Sequence, residues 1–294
     1  MQHVSGQEEE PGFVTSNSNV GYIDSAIPGT QFRLRFDSAF DNPTPDRVEF
    51  FYRASTSAIG TPISPAETNV DYNDITAYAE LALGPETSVF VEAPYRFLNP
   101  ERNANATGFS DLIVGGKRVL WLDEAQIFTG QFRVFIPTGD ADRLLGTDHV
   151  SLEPGLLAAR RISPLTLLEG EMRLWIPVGG TEIDEGHFAA PVLRLGAGIG
   201  HDLYFEADAC GCQTKRLSAV TEFVGWTIFD GFATIPETPE LAQLIEVDGD
   251  TIINGKFGLR WTDPKRSIFV GYGRALTGDV WYHNILRAEY VMRF

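Results

Sequence analysis

The sequence predicts an all-β protein: a closed antiparallel barrel whose strands cross a membrane, with twelve strands expected and fourteen as the alternative count. Three features predict it. Strand-length segments alternate with period two, yet the face opposite the apolar one carries charge in mid-strand. Short turns and long polar loops alternate along the chain. The last segment is amphipathic and ends on an aromatic residue, Phe294.

The alternation is plainest where one pattern is written twice. Phe128, Gly130, Phe132, Val134 and Ile136 share one face, with Thr129, Gln131, Arg133 and Phe135 on the other. Forty residues on, Leu168, Gly170, Met172, Leu174 and Ile176 oppose Glu169, Glu171, Arg173 and Trp175. Period two with one apolar face is a strand. A charged opposite face meets either bulk water or a wet interior, and the loop pattern decides between them.

In chain order, residues 1–30 are polar and aperiodic. Gln31–Phe40 alternates Phe32, Leu34 and Phe36 with Arg33, Arg35 and Asp37, and a turn rich in Pro, Asp and Asn follows at 41–46. Arg47–Ser55 reads as a strand. Further strands are predicted at 71–83, 88–97, 109–121 and 126–136, then at 150–161, 166–177, 189–200, 218–229, 252–262, 267–275 and 282–294. Turns at 84–87, 122–125, 162–165 and 262–266 are short, whereas loops at 98–107, 138–149, 178–188 and 230–250 are long. The predicted turn Asp202–Lys215 breaks this rhythm.

Long loops on one side and tight turns on the other suit a transmembrane barrel. In hydrocarbon the backbone has no water to bond, so the sheet must close. Small outward residues such as Ala77, Ala79, Gly130 and Gly170 suit lipid better than a jigsaw core. With both chain ends on the turn side, the strands from Arg47 onward number twelve. Residues 1–46 then form an N-terminal segment, loosely held or docked in the lumen, with 31–40 plugging the lumen or lying across its mouth. Residues 47–294 form the barrel.

Composition excludes several functions. A net charge of −17 leaves no basic patch for nucleic acid. Mean hydropathy is −0.09, and no run of about 18 apolar residues is long enough to cross a bilayer as a helix. Cys210 and Cys212, one residue apart, suit a turn with free or locally bridged thiols better than a metal site. Met1–Gly12 has neither the basic nor the apolar region of a secretory leader, as would also be true of a mature chain given a new initiator Met.

Gly108-Phe-Ser-Asp-Leu-Ile-Val-Gly-Gly-Lys117, Ile136-Pro-Thr-Gly-Asp140, Thr221-Glu-Phe-Val-Gly-Trp226 and the closing Phe294 resemble the outer-membrane barrels grouped as meta-pathway phenol-degradation or transporter-like proteins. The resemblance covers roughly residues 70–294 and contains no catalytic motif. It implies a channel or transporter for hydrophobic or aromatic compounds. Tyr290 and Phe294 resemble the terminal signal read by the bacterial barrel-assembly machinery.

With the apolar face outward, the lumen is expected to hold Glu92, Arg96, Arg133, Glu171, Arg173, Arg194, Glu222, Lys256, Arg260, Arg287 and Glu289. Such charges either pair across the lumen to brace the walls or form a selective constriction, with Arg133 and Arg173 at one height. Phe90, Phe135, Trp175, Trp226, Tyr204 and Phe269 are expected inside as packing or as an apolar lining. Trp121, Trp261, Trp281 and Tyr282 fall at strand ends and read as interfacial girdle residues.

No catalytic residues are expected, because none of the five histidines has triad spacing and each reads as solvent-exposed. No cofactor or metal is expected either, since the acidic loops at 140–148 and 246–250 lack a full calcium-ligand pattern. The expected location is the outer membrane of a Gram-negative-type bacterium. The expected partners are its lipid and lipopolysaccharide, the barrel-assembly machinery and a small solute. The expected function is passive passage of small solutes, apolar or aromatic ones included; a closed structural barrel is the alternative.

Overall fold

The structure is a computed structural model that describes residues 18–49, 67–183, 186–207, 213–236 and 242–294. Twelve strands make the wall: β1 Gln31–Asn42, β2 Val70–Gly84, β3 Thr87–Pro100, β4 Leu112–Leu122, β5 Gln126–Ile136 and β6 Val150–Ser163. They continue through β7 Thr166–Val178, β8 Val192–Ala207, β9 Gln213–Ile228, β10 Thr251–Thr262, β11 Arg266–Ala275 and β12 Asn284–Arg293. Each strand pairs antiparallel with its sequence neighbours, and β1 pairs with both β2 and β12, which closes the ring. A short strand, Ala106–Phe109, pairs with the upper half of β3 while β4 pairs with the lower half. The two pieces together occupy one position in the wall.

The predicted number of strands holds, but one strand is exchanged. Gln31–Asn42 is a wall strand, not a lumen or mouth segment, so the wall begins at 31 rather than at 47. Its Phe32/Leu34/Phe36 face points outward like that of every other strand, and its backbone is paired on both edges from Gln31 to Ala39. In place of the strand predicted over 47–55, Arg47–Glu49 forms a 3-10 turn. The rest of that segment lies outside the described residues. Of the predicted turn 202–215, both arms are strand: β8 runs to Ala207 and β9 starts at Gln213. Cys210 and Cys212 lie outside the described residues.

The tight turns and both ends of the wall gather at one rim, called here the turn end. Two of these turns share a device. Asp123 accepts backbone N–H groups from Ala125 and Gln126, and Asp263 accepts them from Lys265 and Arg266, each in an Asx-type turn. The long connections gather at the opposite rim, the loop end. There Phe232–Pro236 and Ala242–Glu246 form a hairpin, and Ile183 and Phe188 of the neighbouring loop pack against its Phe232 and Leu244.

The wall is inverted relative to a soluble protein. Phe223, Phe257, Leu259 and Leu286 lie on the outer surface, while Glu222, Lys256, Arg260 and Glu289 on the same strands are buried inside. Both placements follow from period two: successive side chains point to opposite faces of one pleat.

Candidate functional site

The lumen is crossed by the chain itself. Residues 18–30, immediately before β1, form a strap that rises from the turn end, crosses at Tyr22–Asp24 and descends to Gln31. The strap has no regular structure, so its backbone polar groups need partners from the wall. Glu169 accepts the N–H groups of Asn19 and Val20 at 2.9 and 3.1 Å. Glu222, fully buried, accepts those of Gly21, Tyr22 and Ile23 at 2.9–3.1 Å. Glu171 accepts that of Asp24 at 2.9 Å. In the reverse sense Arg260 donates to the Asn19 and Val20 carbonyls, Arg287 to Gly21 and Arg194 to Tyr22.

The wall also makes room for the strap. Gly196, Gly198 and Gly200 are successive inward positions of β8, and a Cβ on each would meet Ile23, Val20 and Asn19 respectively. On the opposite wall the fully buried Phe269 ring lies against Gly21, Gly258 and Gly271, with no space for a Cβ at any of the three.

At the apex, Asp24 Oδ2 accepts from Arg133 at 2.9 Å, Gln131 at 3.2 Å and Arg173 at 3.4 Å. From there the charges alternate around the wall. Arg133 donates to Glu92 at 2.7 Å, and Glu92 also accepts from Arg35 at 2.8 Å. Arg173 reaches Glu153 at 3.0 Å and Glu171 at 3.3 Å, and Glu171 accepts from Arg194 at 2.6 Å. Every charge in this network has a partner of opposite sign, and removing one member of such a set costs about 3–5 kcal/mol.

Cavities flank the strap. One of about 240 Å³ lies at the turn end between Arg33, Arg260, Glu289 and residues 18–30. The other, about 220 Å³, lies above the apex and is lined by Tyr22, Tyr72, Trp226, Trp281, Tyr282 and five cationic side chains, Lys256 and Arg287 among them.

The sequence-predicted charged set is buried or half-buried on the inner face of the wall. Arg133 and Arg173 meet at Asp24, Arg260 pairs with Glu289 at 2.8 Å, and Arg96 pairs with Asp74. Phe90, Trp175, Trp226 and Phe269 are buried and Phe135 is half-buried. Tyr204 departs from the prediction: a bulge between Asp202 and Tyr204 breaks the alternation and leaves Leu203, Tyr204 and Phe205 all exposed.

Trp281 and Tyr282 also depart from the girdle reading. Both are buried, because the chain turns inward before β12, and they line the upper cavity. Trp121 is exposed and Trp261 half-buried at the turn end. His149, expected at the surface, is buried with Nδ1 3.2 Å from Ser151 Oγ and its ring against Trp175. Tyr290 is half-buried on the outer face, and the Phe294 N–H donates to Thr30 at 3.1 Å.

Sequence reasoning missed Tyr22, Asp24, Asp37 and Asp74. The last two were legible as inward positions of alternating strands; Tyr22 and Asp24 sit in a segment with no period to read.

No protein-family model matches the chain, and no curated protein matches it. Among solved structures it is similar to an outer membrane channel from Pseudomonas putida F1, with TM-score 0.55 at 13% identity over 98% of this chain and 100% of that one. Weaker likenesses include the β domain of the Bordetella autotransporter BrkA, TM-score 0.49 at 15% identity over 90% of this chain and 100% of that one. The KdgM porin in complex with disordered oligogalacturonate scores 0.48 at 7% identity over 90% of this chain and 99% of that one. The first of these shows a shared fold: this chain has the barrel architecture of outer-membrane proteins.

Proposed function

We propose that the protein is a channel or facilitator of the outer membrane of a Gram-negative-type bacterium, passing small solutes, apolar and aromatic ones included, without an energy source. The observation that carries this is the inverted wall with a cavity on each side of one thin strap. An exterior of Phe, Leu, Ile and Val calls for hydrocarbon, and each such side chain removed from water contributes about 1.5–3 kcal/mol. Inside, a cavity of about 240 Å³ below the strap and one of about 220 Å³ above it leave room for a small solute on either side of a single segment. The Pseudomonas putida protein of the same fold is described as an outer membrane channel, which favours the same reading. So does the sequence resemblance to barrels grouped with phenol-degradation proteins. On this reading lipid and lipopolysaccharide surround the belt, and the assembly machinery reads the final strand with Tyr290 and Phe294.

The strap makes passage conditional on its movement. It also supports the second reading, a closed structural barrel, because its backbone is bonded so fully to the wall.

Planar-bilayer recording on the full chain separates the two. The channel reading expects small discrete conductance steps. It also expects the double variant Arg133→Ala/Arg173→Ala to shift selectivity toward cations, since Asp24 and Glu153 lose both arginines and Glu92 keeps only Arg35. Silence in bilayers together with no solute flux into liposomes would leave only the closed barrel.

A further inference from the structure

The cavity above the strap has an unusual balance of donors and acceptors. Its two carboxylates are fully engaged: Asp37 with Arg287 at 2.6 and 2.7 Å, and Asp74 with Arg96 at 2.9 and 2.8 Å. Arg35 is held by Glu92 and Arg194 by Glu171, both outside the lining. Lys256 is different. Among the described residues no carboxylate lies in ion-pair range of its ammonium, whose hydrogen-bond partner is the Tyr282 hydroxyl at 2.9 Å.

The neighbour opposite Lys256 in the sheet, Glu222, has both oxygens taken by the strap's three N–H groups. Lys256 is nonetheless almost completely buried. Its Nζ stands 4.2 Å from the centre of the Tyr22 ring, 5.5 Å from Trp226 and 5.6 Å from Tyr282.

Four more polar groups of residues lining this cavity are buried without a hydrogen-bond partner: three donors, the Tyr22 hydroxyl, the Trp226 indole N–H and Arg35 Nε, and one acceptor, Asn42 Oδ1. A buried donor left unbonded is costly, so a cluster of them marks a place for an acceptor. The surplus is of donors and positive charge, and the surrounding surfaces are flat aromatic faces. A strongly hydrated inorganic anion gains nothing from those faces, and a cation is excluded by Lys256 and Arg287. Size agrees as well, since an apolar cavity of about 150 Å³ holds benzene and this one, at about 220 Å³, adds room for a carboxylate.

We propose that this cavity binds a small aromatic carboxylate. Its anionic oxygens meet the Lys256 ammonium and the Tyr22 and Trp226 donors, and its ring packs among Tyr22, Trp226 and Tyr282. The inference deepens the channel reading and rests on it for the route by which the solute arrives. Binding itself is an equilibrium property that needs no flux.

The test uses the full chain in detergent micelles with benzoate as probe, followed by calorimetry and by quenching of tryptophan fluorescence, because Trp226 and Trp281 line the cavity. Benzoate is expected to bind saturably and at least tenfold more tightly than benzamide, its neutral counterpart. Lys256→Met is expected to weaken benzoate about tenfold to a hundredfold, the range for one charged hydrogen bond, and to leave benzamide unchanged. Trp226→Phe keeps the apolar face, removes one donor and gives a several-fold loss, so the proposal stays testable should Lys256→Met fail to fold.

Equal affinity for benzoate and benzamide overturns the proposal, as does unchanged benzoate affinity in a folded Lys256→Met protein. Displacement of benzoate by equimolar phosphate overturns it in favour of a general anion site. A protein that binds benzoate but never conducts keeps this site and loses the channel reading. One that conducts without binding benzoate does the reverse.

Discussion

Replacing Glu222 by Gln tests what holds the strap. In the native protein the two carboxylate oxygens share three backbone donors: Gly21 at 3.0 Å, Tyr22 at 2.9 and 3.1 Å, and Ile23 at 3.0 Å. A glutamine keeps one carbonyl oxygen and turns an NH₂ toward the others. At least one strap amide then loses its acceptor, a cost of about 1–3 kcal/mol, and the bonds that remain lose their charge assistance. Relief from burying a carboxylate works the other way and offsets the lost charge assistance, so a net loss of about 2 kcal/mol is expected. That corresponds to roughly a 30-fold rise in the population with the strap released. Amide hydrogen exchange read by mass spectrometry on the micelle-bound protein measures it directly. Peptides spanning 19–24 should exchange about 30-fold faster, with β8 and β9 unchanged. Identical exchange in the two proteins would refute the idea that this carboxylate is the clasp. Faster exchange throughout β9 would refute its local character.

Further outcomes follow from the same contacts. Gly198→Leu drives a side chain into the space of Val20. Overpacking of about 1–3 kcal/mol should expel the strap and raise its exchange about tenfold to a hundredfold, while heat-modifiable migration on gels shows an intact barrel. Phe269→Ala empties the slot between Gly21, Gly258 and Gly271, and a denaturant titration should show a loss of about 3–5 kcal/mol; a loss below 1 kcal/mol would show that the slot closes over.

At the loop end, Glu67 accepts backbone N–H groups from Thr68, Asn69, Glu101, Arg102 and Asn103 and the Asn103 side-chain amide. Burial works against its charge but is outweighed by the hydrogen bonds from Asn103, Thr68 and Asn69, so its carboxyl sits below the ordinary glutamate range. A lowered value means stabilisation that is full above the ordinary glutamate value and lost as pH falls through the lowered one. The melting-temperature gap between the native protein and Glu67→Gln should therefore close as pH drops from 7 toward 3. A gap independent of pH would contradict this.

The wall was legible because a barrel strand with an apolar outer face and a charged inner one writes its two environments into alternate residues. The doubled Arg133/Arg173 pattern gave orientation, and the charged set followed from it. Strand 31–42 carried the same signature in Phe32, Leu34 and Phe36. It was displaced from the wall only because counting strands from Arg47 already satisfied parity.

What periodicity cannot report is an aperiodic segment whose backbone is bonded by someone else's side chains. The sign of the strap lay instead in its mould. Gly196, Gly198 and Gly200 recur with period two on the inward face of β8, where the sheet neighbours of Gly196 and Gly198 include Glu171, Glu169 and Glu222. Glu169 likewise faces Gly198 and Ala159 across its two edges, so neither sheet neighbour offers it a cation. Inward glycines beside unpaired acids ask for a backbone. The bulge that turns Tyr204 outward, and the inward turn that buries Trp281 and Tyr282, depend on local backbone geometry that composition does not encode.

The strap ends at Thr30 and the closing strand begins at Gln31, which pairs with Arg293 at the far end of the chain. This order has a consequence for assembly. Every other seam of the wall joins strands that are neighbours in sequence, whereas the β1–β12 seam joins its two ends and carries the largest loop-closure cost. It is the natural last step. A segment tethered to β1 at the turn end then needs no threading through a finished pore. With the β1–β12 seam open, it can be laid into the trough of β8 and β9 from the side before that seam shuts the wall around it. In that order the lumen is loaded before it is a lumen, and the aromatic chamber above Tyr22 takes its floor from the same step.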